Sequence, residues 1–294
     1  MPIARTNGVE IAYETFGPPD GRPLLLIMGL AAQMILWDDE FCAALAARGH
    51  RVIRFDNRDV GLSTKLDAAG MPDAAAAMQA ALLGERIAAP YLLRDLAADA
   101  AGLLDALGIP AAHVVGASMG GMIAQTMAIN HPASVLSLTS IMSTTGERSL
   151  PPARPEAAAV LVLPAPSDRA GNVERAVHIF RTIGSPGFPF DEARVRDLAG
   201  RSYDRCFSPA GAARQLVAIL ASGSRREALA AVTIPTLVIH GRDDPLIPLE
   251  AGLATARAVP GAELLVIDGM GHDLPRAAWP EIVERIGALT ARAA

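Results

Sequence analysis

Residues 113–128, HVVGASMGGMIAQTMA, pass from a short apolar run into a helical pattern through a turn built of small side chains. Val114 and Val115 read as a buried strand, and Met122, Ile123, Met127 and Ala128 recur at helical spacing from Met119 to about Asn130. Between them stands Gly116–Ala117–Ser118–Met119–Gly120. G-x-S-x-G arises by chance about 0.1 times in a chain of this composition, so its place between strand and helix carries the reading. A strand that turns sharply into a helix needs small neighbours, and such a turn pushes the Ser118 hydroxyl out above the sheet. The helix starting at Met119 offers free backbone N–H groups and the positive end of its dipole, which favour a developing oxyanion beside the serine.

Outward from this turn, strands alternate with helices. Val9 to Phe16 alternates apolar and polar residues, as a half-buried strand does, and Leu24 to Met28 is a continuous apolar run fit for a strand covered on both faces. Asp38 to Arg48 reads as a helix stopped by Gly49, followed by a strand from Arg51 to Phe55. Leu92 to Leu107 is a strongly periodic helix ended by Gly108 and Pro110, and Val135 to Met142 is the strand after the Met119 helix. The rhythm returns with strand Thr236–His240, helix Leu249–Ala258, strand Glu263–Ile267 and a helix from about Trp279. This alternation predicts an α/β fold with a mostly parallel central sheet and helices on both faces.

From Ser143 to about Ser222 there are helical stretches, many prolines and no convincing strand. The expected organisation is a core of residues 1–142 and 223–294 with a helical cap insertion, 143–222, above the carboxyl ends of the strands, where open α/β sheets bind ligands. Leu161, Leu163, Ile179, Phe180 and Ile183 are its candidate inward-facing residues, with packing of the cap against itself the competing reading.

Composition narrows the function classes. The chain of 294 residues carries a net charge of −5 with basic residues scattered singly, which argues against a nucleic-acid groove or an anionic membrane surface. Lys65 is the only lysine and no glycine-rich loop precedes it, so Schiff-base chemistry and a phosphate-binding loop are disfavoured. Cys42 and Cys206 belong to no metal-binding or disulfide pattern, and no cofactor or metal is expected. Residues 106–146 lack any Asp, Glu, Lys or Arg, yet glycines and prolines break the stretch into pieces too short to span a bilayer. The N-terminus lacks the apolar run of a signal peptide, so a cytoplasmic protein is expected.

A serine hydroxyl needs a base to take its proton, and the base needs an orienting acid. For a serine on such a turn the order along the chain is serine, acid, histidine. His240 lies inside a strand and reads as a packed residue, whereas His272 sits in Gly269–Met270–Gly271–His272–Asp273, where flanking glycines permit a tight loop. His272 is the candidate base. The acid is expected in Gly241–Arg242–Asp243–Asp244–Pro245–Leu246–Ile247–Pro248, and spacing does not choose between Asp243 and Asp244.

These segments, with MGLAAQMILWDDEF at 28–41, FDNRDVGLST at 55–64 and IDGMGHDLP at 267–275, resemble the α/β-hydrolase superfamily over nearly the whole chain. The narrower resemblance is to bacterial serine esterases: lipase/esterase-like proteins and anthracycline methylesterases. The resemblance implies a cofactor-free carboxylic ester hydrolase with Ser118 as nucleophile, His272 as base and Asp244, through the motif G-x-x-D-x-x-x-P on Gly241, Asp244 and Pro248, as acid. It implies an oxyanion hole from the backbone N–H groups of Met119 and Leu30, although Met28 stands where the family usually has histidine. The turn from Asp56 to Ser63 resembles the family's D-x-R-G-x-G-x-S, with Asp59 in place of glycine. Arg58 is expected to pin that turn, a charged rim at the substrate mouth being the other reading.

The same Ser-His-Asp set also serves perhydrolases and carbon–carbon bond hydrolases, and a non-catalytic receptor built on the scaffold is the remaining alternative. A small-molecule ester is the expected partner. Trp37, Met34 and Met142 are candidate contacts for an apolar pocket.

Overall fold

The computed structural model describes residues 1–293. Eight strands form one sheet: β1 (Ile3–Thr6), β2 (Val9–Phe16), β3 (Arg22–Ile27), β4 (His50–Phe55), β5 (Ala112–Ala117), β6 (Val135–Ile141), β7 (Thr236–Gly241) and β8 (Glu263–Ile267). Their order is β1-β2-β4-β3-β5-β6-β7-β8. The β1–β2 and β2–β4 pairings are antiparallel and every other pairing is parallel, so the expected α/β architecture holds.

The continuous apolar run of β3 follows from burial on both faces. Leu25 and Ile27 face a core shared with helices Leu93–Ala106 and Met119–Asn130, while Leu24 and Leu26 face one shared with helices Asp39–Ala46 and Trp279–Arg292. All four side chains are fully buried, and each contributes about 1.5–3 kcal/mol of apolar transfer. In β5, Val114 and Val115 divide between the two faces in the same way.

Three elements that escape the sequence reading are β1, the helix Ala74–Leu83 and the short helix Arg226–Leu229. β1 pairs with β2 across Asn7 and Gly8, both at positive φ, which is the two-residue hairpin that Asn-Gly favours. Ala74–Leu83 is a helix although none of its residues is buried. Asp73 caps it by accepting from the Ala76 N–H at 2.9 Å, and Gly84 ends it in the left-handed conformation.

Residues 143–222 hold helices Pro155–Val160, Arg169–Ile183, Glu192–Arg205 and Pro209–Ser222 and, among the described residues, no strand. The Ala74–Leu83 helix packs on Pro209–Ser222. Leu163, Ile179 and Ile183 join a small cluster with Ala157, Val160 and Leu246. Of the two readings weighed for these residues, packing of the insertion against itself accounts for that cluster, with Leu246 its contact to the turn after β7.

Candidate active site

Ser118 ends the turn between β5 and the Met119–Asn130 helix at φ 56° and ψ −121°, a backbone conformation that a serine adopts only when its surroundings impose it. The two glycines of the motif supply that constraint. A Cβ on Gly116 would lie 2.0 Å from the Gly120 carbonyl oxygen, and one on Gly120 would lie 2.0 Å from that of Ile27. Strand, turn and helix therefore close only with glycine at both positions. The Ser118 N–H donates to the Ile141 carbonyl at 2.9 Å, and the Ser143 hydroxyl donates to the Ser118 carbonyl at 2.9 Å.

His272 lies past β8, with its Nε2 2.9 Å from Ser118 Oγ and its Nδ1 2.7 Å from Asp244 Oδ2. An ionised carboxylate only accepts, so Nδ1 carries the proton and Nε2 is left to accept from the serine hydroxyl. The other Asp244 oxygen accepts from the Leu246 and Ile247 N–H groups at 2.9 and 2.8 Å, which fixes the carboxylate before the imidazole. Asp243 turns away and accepts from the Gly269 N–H at 2.9 Å, bracing the loop that carries His272. Adjacent aspartates thus divide the work: one reaches the imidazole and the other its loop. His240 is fully buried, and burial lowers its pKa. Its Nε2–H donates to the Ile247 carbonyl at 2.8 Å, the packed role expected of it.

Met119 is the first residue of its helix, so its N–H has no intrahelical acceptor. The loop after β3 passes close to the serine: a Cβ on Gly29, the residue before Leu30, would stand 3.1 Å from Ser118 Cβ. Trp37, Met34 and Met142 are all buried. Trp37 stacks on Phe41 with ring centroids 5.5 Å apart, the Met34 N–H donates to Asp56 Oδ1 at 2.8 Å, and Met142 follows β6 at φ 40°. Among the described residues, no three His, Cys, Asp or Glu side chains are grouped to hold a metal ion, and no helix is long and apolar enough to cross a membrane.

Contacts that the sequence reading missed come from residues 143–222. The His272 N–H donates to the Ile183 carbonyl at 2.7 Å, the Gly271 N–H to the Ser185 hydroxyl at 2.9 Å, and that hydroxyl to Asp273. Burial raises the Asp273 pKa, which the Ser185 hydroxyl bond partly opposes. Gly271 is glycine for the close approach: its Cβ would lie 2.2 Å from the Gly184 carbonyl oxygen. On the opposite side, Asp59 occupies φ 75°, which suits the glycine expected there and which aspartate tolerates better than most residues. Its carboxylate takes both Nε and Nη2 of Arg214, at 2.9 and 2.7 Å, and the Tyr91 hydroxyl at 2.7 Å. Arg58 binds Asp99 through two bonds of 2.6 Å, pinning the turn. With Asp59 and Arg214 both fully buried, this turn is an anchor rather than a charged rim.

The sequence pattern of the α/β hydrolase fold family matches residues 22–275. The chain is 33% identical over 313 residues to rhodomycin D methylesterase DnrP of Streptomyces peucetius, covering 99% of this chain and 98% of the relative. To rhodomycin D methylesterase DauP of Streptomyces sp. (strain C5) it is 34% identical over 303 residues, covering 96% and 95%. Among solved structures, a meta-cleavage product hydrolase from Pseudomonas fluorescens superimposes with a TM-score of 0.75 at 19% identity over 100% of this chain and 98% of that one, a likeness of fold.

Proposed function

The chain belongs to the α/β-hydrolase fold family, and on that premise we propose that it is a carboxylic ester hydrolase working through an acyl-enzyme on Ser118, with a methyl ester of a larger acid as its substrate. The observation that carries the mechanism is the unbroken hydrogen-bonded line from Ser118 Oγ through His272 to Asp244. As Oγ attacks the ester carbonyl, its proton passes to His272 Nε2, and Asp244 stabilises the imidazolium that forms. The carbonyl oxygen becomes an oxyanion, which the Met119 and Leu30 N–H groups stabilise. His272 then returns the proton to the leaving alcohol. A water molecule, deprotonated by the same imidazole, attacks the acyl carbonyl and frees the acid and Ser118. The rhodomycin D methylesterases, by their names, support the choice of a methyl ester.

The test is turnover on methyl, ethyl and butyl esters of small and large acids, with methanol release measured directly and a fluorophosphonate used to label the nucleophile. Stoichiometric labelling of Ser118 and faster turnover of methyl esters of bulky acids are the expected results. Parallel arms offer acetate with hydrogen peroxide and a vinylogous 1,5-diketone. Turnover in either arm that exceeds every ester would replace ester hydrolysis by perhydrolysis or carbon–carbon cleavage.

A further inference from the structure

Gly29 to Ala32 is a four-residue turn closed by the Ala32 N–H donating to the Gly29 carbonyl at 3.3 Å. Its third residue, Ala31, has φ 58°. A positive φ at that position separates a type II turn from a type I turn, and the type II form asks for glycine or asparagine there. Passing from one form to the other rotates the central peptide, Leu30 carbonyl and Ala31 N–H together, by roughly half a revolution. An alanine does not hold this conformation by preference, so something outside the turn must.

That something is Gln215, from helix Pro209–Ser222. Its side chain is fully buried. Oε1 accepts from the Ala31 N–H at 2.8 Å, and Nε2 donates to the Arg58 carbonyl at 2.8 Å, so both ends of the amide are engaged and its orientation is fixed. A flipped turn would present the Leu30 carbonyl to Oε1, acceptor against acceptor. Gln215 is therefore a selector for the type II form. The next residues are tied to the same insertion: Gln33 Nε2 donates to the Ser202 and Cys206 carbonyls at 2.7 and 3.1 Å, while Arg205 reaches Gln33 Oε1 and, at 3.0 Å, Asp56 Oδ2.

We propose that Gln215 is a positioning residue for the oxyanion hole, locking the peptide that directly follows the one carrying the Leu30 N–H and so making transition-state stabilisation depend on the docked segment 143–222. This rests on the reading of Ser118 as nucleophile and of the Leu30 N–H as oxyanion donor. Interactions made only in the transition state lower kcat when lost and leave ground-state binding nearly unchanged.

The experiment compares the native enzyme with Gln215→Met, Ala31→Gly and the double variant on one ester, and measures inhibition by a trifluoromethyl ketone whose adduct places an oxyanion in the hole. In Gln215→Met, kcat falls about 30-fold or more with KM within about threefold, and affinity for the ketone falls in parallel. Ala31→Gly removes the Cβ that disfavours positive φ, so the double variant regains about fivefold or more of the lost kcat. A packing role for Gln215 would not be repaired by glycine across the contact. Folded Gln215→Met with kcat within threefold of native, a loss confined to KM, or no repair in the double variant overturns the proposal. If Gln215→Met does not fold, Gln215→Leu, which also removes the acceptor for the Ala31 N–H, is judged by the same numbers. Fluorophosphonate labelling of the native enzyme separates this failure from the other: a label on any residue but Ser118 refutes the nucleophile, whatever Gln215 does.

Discussion

Around β3 and β5 the contacts are apolar on both faces of the sheet, and Leu24, Leu25, Leu26, Ile27, Val114 and Val115 are all but inaccessible to solvent. Where residues 143–222 meet the loops around that sheet, charged and backbone partners stand beside apolar ones such as Ala218 and Phe188: Arg194 on Asp38, Arg205 on Asp56, Arg214 on Asp59, Ile183 on the His272 N–H, Gln215 on the Ala31 N–H. Apolar burial is non-directional and tolerates exchange of one aliphatic residue for another. Hydrogen-bonded and ionic contacts hold only at defined angles and distances. The scaffold is thus specified by pattern and the upper side of the site by geometry. Ser118 belongs to the first region, since its turn is set by β5 and its helix. The His272 loop and the turn at Leu30 lie on the seam between the two.

The widest separation between the regions comes from Ser118→Ala. Ester turnover is expected to fall on the order of 10⁶ in kcat while the thermal midpoint stays within a few degrees of native, because the exposed side of this turn contributes little packing. A tenth of the activity retained in a folded variant would remove Ser118 from the mechanism.

Next in size is the division between neighbouring aspartates. Asp244→Asn is expected to lower kcat roughly 10³–10⁴-fold through loss of charge and of control over the imidazole tautomer. Asp243→Asn should cost on the order of tenfold, because it loosens only the bond to the Gly269 N–H. Steady-state kinetics on both variants decide it, and a reversed order would mean that Asp243 orients His272.

The seam itself is tested by stability. Arg214→Met leaves Asp59 buried without its partner and is expected to cost about 3–5 kcal/mol, comparable to Leu25→Ala in the sheet at about 2–5 kcal/mol. Arg214→Met combined with Asp59→Gly removes both charges and relaxes a positive φ, so denaturant midpoints should recover most of the loss. A single variant as stable as native would show that the seam is held by something other than this pair.

A smaller effect reads the scaffold through pH. His50 and His113 are buried at the start of β4 and β5, and burial is the main cause that lowers both pKa values, that of His113 to about 4. A histidine held neutral in the folded state binds its proton only on unfolding. Its contribution is therefore complete above the unfolded value of 6.5 and is lost as pH falls from there toward 4. For His113 this amounts to at most about 3 kcal/mol at 1.36 kcal/mol per pKa unit. Thermal unfolding from pH 7 to pH 4 should show it, and His113→Asn should flatten the slope. An unchanged slope would assign the acid sensitivity to other groups.

Local signals made much of this legible. The alternation of β2, the continuous apolar run of β3, the helical period from Leu93 to Ala106 and the glycines around Ser118 each report their own surroundings, so the sheet and its turn follow from the residues themselves. The hairpin of β1 is equally legible in Asn7–Gly8, and the Ala74–Leu83 helix in Asp73 and Gly84. The glycines beside His272 are expected to permit a tight loop, which Gly269 does at φ 75°, while Gly271 serves the close approach of Gly184.

What the chain determined by itself is whatever depends on neighbours within a turn or two: the order of strands and helices, the strained serine and the glycine-flanked histidine. The choice of Asp244 over Asp243 needed the family motif first, and in the structure it is the Leu246 and Ile247 N–H groups that aim that carboxylate. Only tertiary structure decided that Gln215, 184 residues from Ala31, closes on its N–H, or that Asp59 uses its left-handed position to grip Arg214 across 155 residues. Hydrophobic periodicity records which side of an element is buried, averaged over a whole face. A hydrogen bond between distant segments depends on the angle and spacing at which two finished elements meet, and no residue near either end carries that information.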